Sequence, residues 1–402
     1  MKTSQPACPI TDDWLTNHFD HMSTDLGAAL PEFLARMREI CPVAHSDNYG
    51  GFWVITKYED IFKIAQDWET FTSSEGVAVP PLPPGGIPNI PVEVDPPLQR
   101  VYKKLISPYL TPEAVARREQ EVRAIAVGLI DKFIDSGQCE FMKAFAQPFP
   151  AVTLFELILN APSDDVGRLA DMATVATLPN HPDAAQAWGG TVQWINDFVD
   201  QRQKQPPRGD IVDGLLKAEI EGQPINRTEI LGILQLLIVG GLDTTGGALG
   251  QMIIEFCRDP AIPALLRTKP ELIPPAIEEL LRLNAPMVAI ARTATRDVEV
   301  GGRQIKKGDR IMMYWASANR DEEVFANPDS FDLERANKRY IAFGVGPHRC
   351  VGSNLARMNL RIALEEILRR LDDIRLQEGA EVEYHISFIR EPAAVPITFK
   401  RR

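Results

Sequence analysis

Three features of this sequence predict a mainly α-helical chain with small β-sheets. Long stretches carry apolar residues at helical spacing, most clearly 226–257 and 351–371. Strand-like stretches are short, at 50–58, 297–314 and 381–399, the first two marked by glycine. Strands and helices do not alternate as they would around a parallel sheet, and no internal repeat or low-complexity linker interrupts the chain. The length, 402 residues, taken alone suggests two or three domains.

Composition narrows the function. Hydrophobic residues make up 45% and charged residues 24%, enough apolar material for a core. Lys and Arg number 43 against 55 Asp and Glu, a net charge of −12 that excludes a general nucleic-acid binder. The five cysteines, at 8, 41, 139, 257 and 350, form no CxxC pair. That pattern argues against a disulfide framework and against a four-thiolate metal centre, and leaves room for one special thiol. The N-terminus leads into polar residues rather than an apolar signal core. The longest apolar run, Ile230–Leu242, is interrupted by Gln235 and is too short to span a bilayer. A soluble cytoplasmic protein with no membrane contact is expected.

Taken in order, 50–58 (GGFWVITKY) reads as a Gly-led strand pair. Residues 76–97 hold eight prolines and read as a long irregular loop. The loop ends at Asp95-Pro96-Pro97, a helix start, and 98–136 reads as helices broken at Thr111-Pro112. Stretches 140–178, 185–203 and 209–221 read as mostly helical. One long helix is expected over 226–257 and another over 270–283. Strands are expected within 297–314 around Gly301-Gly302 and Gly308, a helix over 351–371, and strand again over 381–399.

The most informative stretch is Phe343-Gly344-Val345-Gly346-Pro347-His348-Arg349-Cys350-Val351-Gly352, directly before an amphipathic helix. Its glycines allow turns and close approaches that a side chain would block. Cys350 therefore stands beside a helix N-terminus, where the dipole and free N–H groups stabilise a thiolate. Such a thiolate suits an axial metal ligand. Most lone cysteines are small, inert core residues; the surrounding pattern sets this one apart.

FGxGxHxCxG resembles the haem-ligating signature of the cytochrome P450 family, and further motifs extend the resemblance over nearly the whole chain. It implies haem b with Cys350 as the iron ligand, dioxygen as co-substrate, and Phe343, Gly344 and Gly352 shaping the contact. It implies that His348 meets a haem propionate. Thiolate donation would push electron density onto iron and favour O–O cleavage.

Within 226–257 stands Gly240-Gly241-Leu242-Asp243-Thr244-Thr245-Gly246-Gly247. Four glycines in a helix cost about 1 kcal/mol each relative to alanine, so something must require them. A flat ligand approaching the backbone, or a kink that opens space, would do so. The stretch resembles the family's (A/G)Gx(D/E)T oxygen-activation motif, which implies Thr244 hydrogen-bonding dioxygen at the iron and Asp243 relaying protons.

Glu279-Leu280-Leu281-Arg282 resembles the family's ExxR motif, and Phe331-Asp332-Leu333-Glu334-Arg335 its FDxxR motif. The resemblance implies a scaffold of Glu279, Arg282 and Arg335 that holds the thiolate loop. It further implies propionate contacts from Arg292, Gln99 and Lys103, the last two standing where His and Arg are common. Tyr340 also stands where His is common. Because the motifs at 95–103, 240–244, 279–282 and 343–352 must converge on one cofactor, the resemblance implies one large domain over 1–402.

The family's substrate walls fall on the loop 76–94, the region 166–200, the long helix before Gly240, the segment after Arg282 and the tail turn. Here these offer Val77, Val79, Leu82, Ile87 and Ile90, then Leu236, Val239 and Gly240. Met287, Val288, Ile290, Phe388 and Ile389 complete the set. The lining is apolar, which suits a compact hydrophobic substrate such as a terpenoid or small aromatic compound. Arg390 could meet a substrate carboxylate. The chain has no GxGxxG fingerprint and no cysteine cluster, so a ferredoxin with an NAD(P)H-dependent reductase is expected to supply electrons. Lys338, Arg339, Arg349, Arg357, Arg361, Arg100, Lys103 and Lys104 form a basic region that could steer an acidic partner. The alternatives are a peroxide-driven peroxygenase and a non-catalytic haem-based redox or gas sensor. The Asp243-Thr244 pair speaks against both.

Overall fold

Short strands at the two ends of the chain frame a helical body. The computed structural model describes residues 10–81, 86–162, 165–177 and 181–402. A five-stranded sheet has the order Val43–Ser46, Phe52–Ile55, Arg310–Met313, Ile290–Ala294 and Phe71–Thr72. Its neighbours are antiparallel except Phe52–Ile55 with Arg310–Met313, which run parallel with Ile311 opposite Trp53. Ile311 also stands opposite Arg292, which places that arginine in an inner strand. The expected strand pair over 50–58 is a single strand. Gly50 and Gly51, at φ 86° and 97°, make the turn from its true partner, Val43–Ser46, and Tyr58 already begins a helix.

Two further expectations change. The helix expected across 209–221 stops at Leu216, because Glu221 and Gly222 adopt φ 54° and 76° and close a small hairpin. The helix expected over 226–257 is two helices, Arg227–Gly241 and Asp243–Arg258, meeting at Leu242 with φ −93° and ψ −77°. Asn226 and Glu229 form a capping box at the start. The two glycines at 240 and 241 supply the weak point. The stretch Arg227–Arg258 is apolar enough to cross a membrane, but 67% of its apolar window is buried inside the protein. It is the central core element.

The helix Ser353–Arg370 agrees with the expected period and buries Leu355, Met358, Ile362 and Ile367. It packs on Asp243–Arg258, Ile273–Leu283 and Glu119–Asp131. The tail folds into a hairpin, Tyr384–Ile386 with Arg390–Pro392, and a strand Pro396–Arg401 that joins Leu371–Leu376 and Gln138–Glu140. A large apolar core spans the helical body, and a second cluster fills the space behind the five-stranded sheet.

Candidate functional site

An internal cavity of about 280 Å³ lies between the kinked helix pair and the loop before Ser353. Cys350 lines it, together with Phe343, Gly344, His348 and Gly352 from the loop. Gly344 and Gly346 adopt φ 69° and 74°, and a Cβ on Gly346 would stand 2.7 Å from the Ala65 carbonyl oxygen. Those two turns require glycine. The Cys350 N–H donates to the Phe343 carbonyl over 2.9 Å and closes the loop. The thiol is open to the cavity yet lies deep in the protein, and its surroundings pull it both ways. Burial pushes its ionisation up, while the Gly352 N–H and the charges of Lys103, Arg349 and Arg357 pull it down.

Gln99 and Lys103, one turn apart on the helix Leu98–Ile106, grip the same loop. Gln99 Nε2 donates to the Pro347 carbonyl over 2.8 Å, and Lys103 Nζ donates to those of Pro347 and Arg349 over 3.0 and 2.7 Å. Arg292 is buried on the same cavity, where burial lowers it to about 10. Burial, with the Arg292 charge as second cause, lowers His348 to about 3. His348 Nδ1 and Gln99 Oε1 are buried and lack hydrogen-bond partners. Three basic side chains thus converge beside an open thiol, with unsatisfied polar atoms among them. The arrangement fits a haem, whose carboxylate edge would satisfy the cations and whose iron would take the thiolate.

Across the cavity, Leu236, Gly240 and Thr244 line the wall, and the Thr244 hydroxyl donates to the Gly240 carbonyl over 2.8 Å. A Cβ on Gly240 would meet nothing within 4 Å. Only Gly240 and Gly241 of the four helix glycines face the cavity. Gly246 and Gly247 serve packing instead: Cβ atoms there would stand 2.9 Å from the Ala146 carbonyl oxygen and 3.1 Å from Glu391 Cβ. Asp243 is buried and is not on the cavity wall.

Glu279, Arg282 and Arg335 meet away from the cavity. Arg282 forms a two-bond fork with Glu279, each bond 2.8 Å, and Arg335 Nε donates to Glu279 Oε1 over 3.0 Å. Arg282 also donates to the carbonyls of Asn319, Pro328 and Ser330. Asn319 Oδ1 accepts the Ile341 N–H over 2.7 Å, which ties this network to the segment entering the thiol loop. Tyr340 is not at the cavity; its hydroxyl bonds Glu278 and accepts from Arg357 over 3.0 Å.

The expected substrate wall is only partly assembled. Leu236, Gly240, Met287, Ile290 and Ile90 line the cavity. Val77, Val79, Ile87, Val239, Val288, Phe388 and Ile389 do not, and Leu82 lies outside the described residues. The Val77 carbonyl is taken by the Ala291 N–H at 2.8 Å, and that of Phe388 by Val288 at 2.8 Å, so these segments pack behind the wall. Arg390 is not available to a substrate. It donates to the Gly27 carbonyl over 3.0 Å and lies 3.9 Å from the Tyr384 ring centre. The wall also includes Ile106, Leu110, Pro150, Leu154 and Trp315. Ile106 and Leu110 continue the spacing of Gln99 and Lys103 and were traceable by period. Pro150, Leu154 and Trp315 carry no sequence signal that separates them from ordinary core.

The basic region is smaller than its sequence suggests. Arg357 pairs with Glu278 at 2.8 Å, and Arg361 pairs with Glu119 at 2.7 Å and Glu365 at 3.0 Å. Lys338, Arg339, Arg349, Arg100 and Lys104 remain exposed.

Comparison with known proteins agrees with this geometry. The family described as Cytochrome P450 matches residues 150–384. Cytochrome P450-terp of a Pseudomonas species is 31% identical over 390 residues, covering 89% of this chain and 90% of that protein. Linalool 8-monooxygenase of Pseudomonas putida is 31% identical over 368 residues, covering 86% and 89%. Steroid C26-monooxygenase of Mycolicibacterium smegmatis is 30% identical over 372 residues, covering 90% and 91%. Among solved structures, cytochrome P450 CYP109Q5 from Chondromyces apiculatus superposes with a TM-score of 0.87 at 27% identity, over 96% of this chain and 99% of that one.

Proposed function

The chain belongs to the cytochrome P450 family and to its monooxygenases, and we propose that it oxygenates a small hydrophobic substrate, a terpenoid or small aromatic compound. The observation that carries this reading is a single cavity lined by Cys350, by the Gly240–Thr244 turn and by apolar side chains. Haem held in this cavity would supply binding and reductive activation of dioxygen.

Cys350 supplies the thiolate. Lys103, Gln99, Arg292 and His348 would hold the carboxylate edge of the haem, while Phe343, Gly344 and Gly352 would keep the loop close to the ring. Glu279, Arg282 and Arg335 hold the segment leading into that loop. Thr244 presents a hydroxyl to the cavity, and its bond to Gly240 shows that it has an acceptor while at rest. Asp243, next along the helix, moves protons toward that hydroxyl. Leu236, Ile290, Met287 and Ile90 exclude water from the substrate side. The names of the linalool and steroid relatives support a compact hydrophobic skeleton as substrate.

Electrons come from a ferredoxin and its NAD(P)H-dependent reductase, which meet the exposed Lys338, Arg339, Arg349, Arg100 and Lys104. The enzyme works as a soluble cytoplasmic protein, a reading supported by the burial of the one long apolar stretch among its described residues. A ligand screen read as a low- to high-spin haem shift tests the substrate class. Shifts with terpenoids or small aromatics are expected, and a shift seen only with long fatty acids or large macrolactones overturns it.

A further inference from the structure

Glu391 stands apart from every role assigned above. It is 4% exposed, and its Oε2 has no hydrogen-bond partner. Its Cβ is 3.1 Å from where a Gly247 Cβ would stand, so the missing side chain at 247 makes the notch that seats it on the helix. Asp243 lies four residues before Gly247, on the same ridge of that helix. Asp243 is also the charge that acts on Glu391.

The geometry points to Glu391 as the partner carboxyl of Asp243: the two share one proton, and Glu391 supplies the proton that Asp243 passes on toward Thr244. The inference rests on the reading of Asp243 as proton carrier. A lone buried carboxylate beside another is strongly disfavoured, and one bound proton relieves both desolvation and repulsion. Burial first, and the Asp243 charge second, push Glu391 up to about 8.

The charged groups packed around Glu391 are engaged elsewhere. Arg390, its neighbour, turns to the Gly27 carbonyl and the Tyr384 ring. Glu255 and Arg258, further along the helix, pair at 2.9 Å. Glu140, on the strand paired with Pro396–Arg401, accepts the N–H groups of Met142, Lys143 and Val395. His385 is the cross-strand neighbour, and the charge acting to raise it is that of Glu383. The ridge continues from Gly247 to Gln251, whose buried Oε1 also lacks a partner, and to Glu255, which reaches solvent. In delivery, the shared proton passes from Glu391 to the Asp243 carboxylate and on toward Thr244, and the emptied pair takes its replacement at Glu391 from solvent along this ridge.

The test uses haem-loaded enzyme, with loading matched by the reduced, CO-bound spectrum. Difference infrared spectra on both sides of pH about 8 read the carboxyl proton directly. The wild type is expected to lose a protonated-carboxyl band as pH rises through that region. E391Q should lack the band, E391D should restore one, and D243N should move its loss to lower pH. In turnover, E391Q should shift the alkaline fall in product per NADH downward by about one pH unit or more. An unchanged band and alkaline limb in E391Q, or an unmoved band in D243N, overturns the shared proton. Loss of coupling in D243N with an unmoved limb in E391Q overturns the role of Glu391 alone. Normal coupling in D243N overturns the reading of Asp243, and with it the delivery step, while the infrared band still judges the pair.

Discussion

The Thr244 hydroxyl donates to the Gly240 carbonyl over 2.8 Å, bridging the break in the central helix at the cavity wall. Replacing Thr244 with Ala removes that hydroxyl at a stability cost of about 1 kcal/mol. NADH consumption should persist while product per NADH falls roughly tenfold, the remaining electrons appearing as peroxide. Product and peroxide yields per NADH measure this, and wild-type coupling in T244A removes the role.

Adjacent glutamates should behave very differently. Glu279 is buried and receives two arginines, so Glu279→Ala leaves uncompensated cations and should cost about 3–5 kcal/mol, with poor haem incorporation. Glu278 meets Arg357 at a half-exposed site, and Glu278→Ala should cost about 1 kcal/mol or less. Denaturant unfolding of the two variants compares them directly.

Lys103 carries a charge-assisted grip on the thiolate loop through the Pro347 and Arg349 carbonyls. Lys103→Ala should weaken that grip by about 1.5–3 kcal/mol and speed haem loss roughly tenfold or more. Transfer of haem to apomyoglobin reads the rate, and an unchanged rate refutes the assignment.

Acid should destabilise the fold through His21. Burial, the largest cause, holds this ring down to about 4, and it sits between Tyr49 and Phe52 at 5.2 and 5.6 Å. The unfolded chain therefore binds the extra proton between about pH 6.5 and 4, so stability falls as pH drops through that window. The loss is on the order of 3 kcal/mol at its fullest. Unfolding of His21→Phe across the same window should show a shallower slope.

Electron transfer should respond to the exposed cations and not to the paired ones. Ferredoxin-supported haem reduction should slow as ionic strength rises. Arg349→Gln should slow it at low salt, whereas Arg361→Gln, already neutralised by Glu119 and Glu365, should leave it near wild type. Stopped-flow reduction under CO reads both.

The chemistry was legible in the sequence because it is local. The thiol loop needs glycine-permitted turns before a helix, and Phe343–Gly352 supplies those turns directly before the helix Ser353–Arg370. Helical period likewise marked the helix around Leu355 and Ile362. The glycines of the central stretch pointed to a kink or a close approach without placing either, and only the dihedrals at Leu242 locate the break. The partner of Phe52–Ile55 escaped because Val43–Ser46 is short and half polar.

The family and the membership of the Glu279–Arg282–Arg335 network are legible in the residues alone, since each is written in a short motif with fixed spacing. The folded chain was needed to show which apolar residues form the cavity wall, that Arg390 is tied down, that Tyr340 bonds Glu278, and that Glu391 seats on Gly247, one turn from Asp243. Those relations join residues far apart in the chain, and apolar or acidic character alone does not say which neighbour a folded backbone will bring within reach.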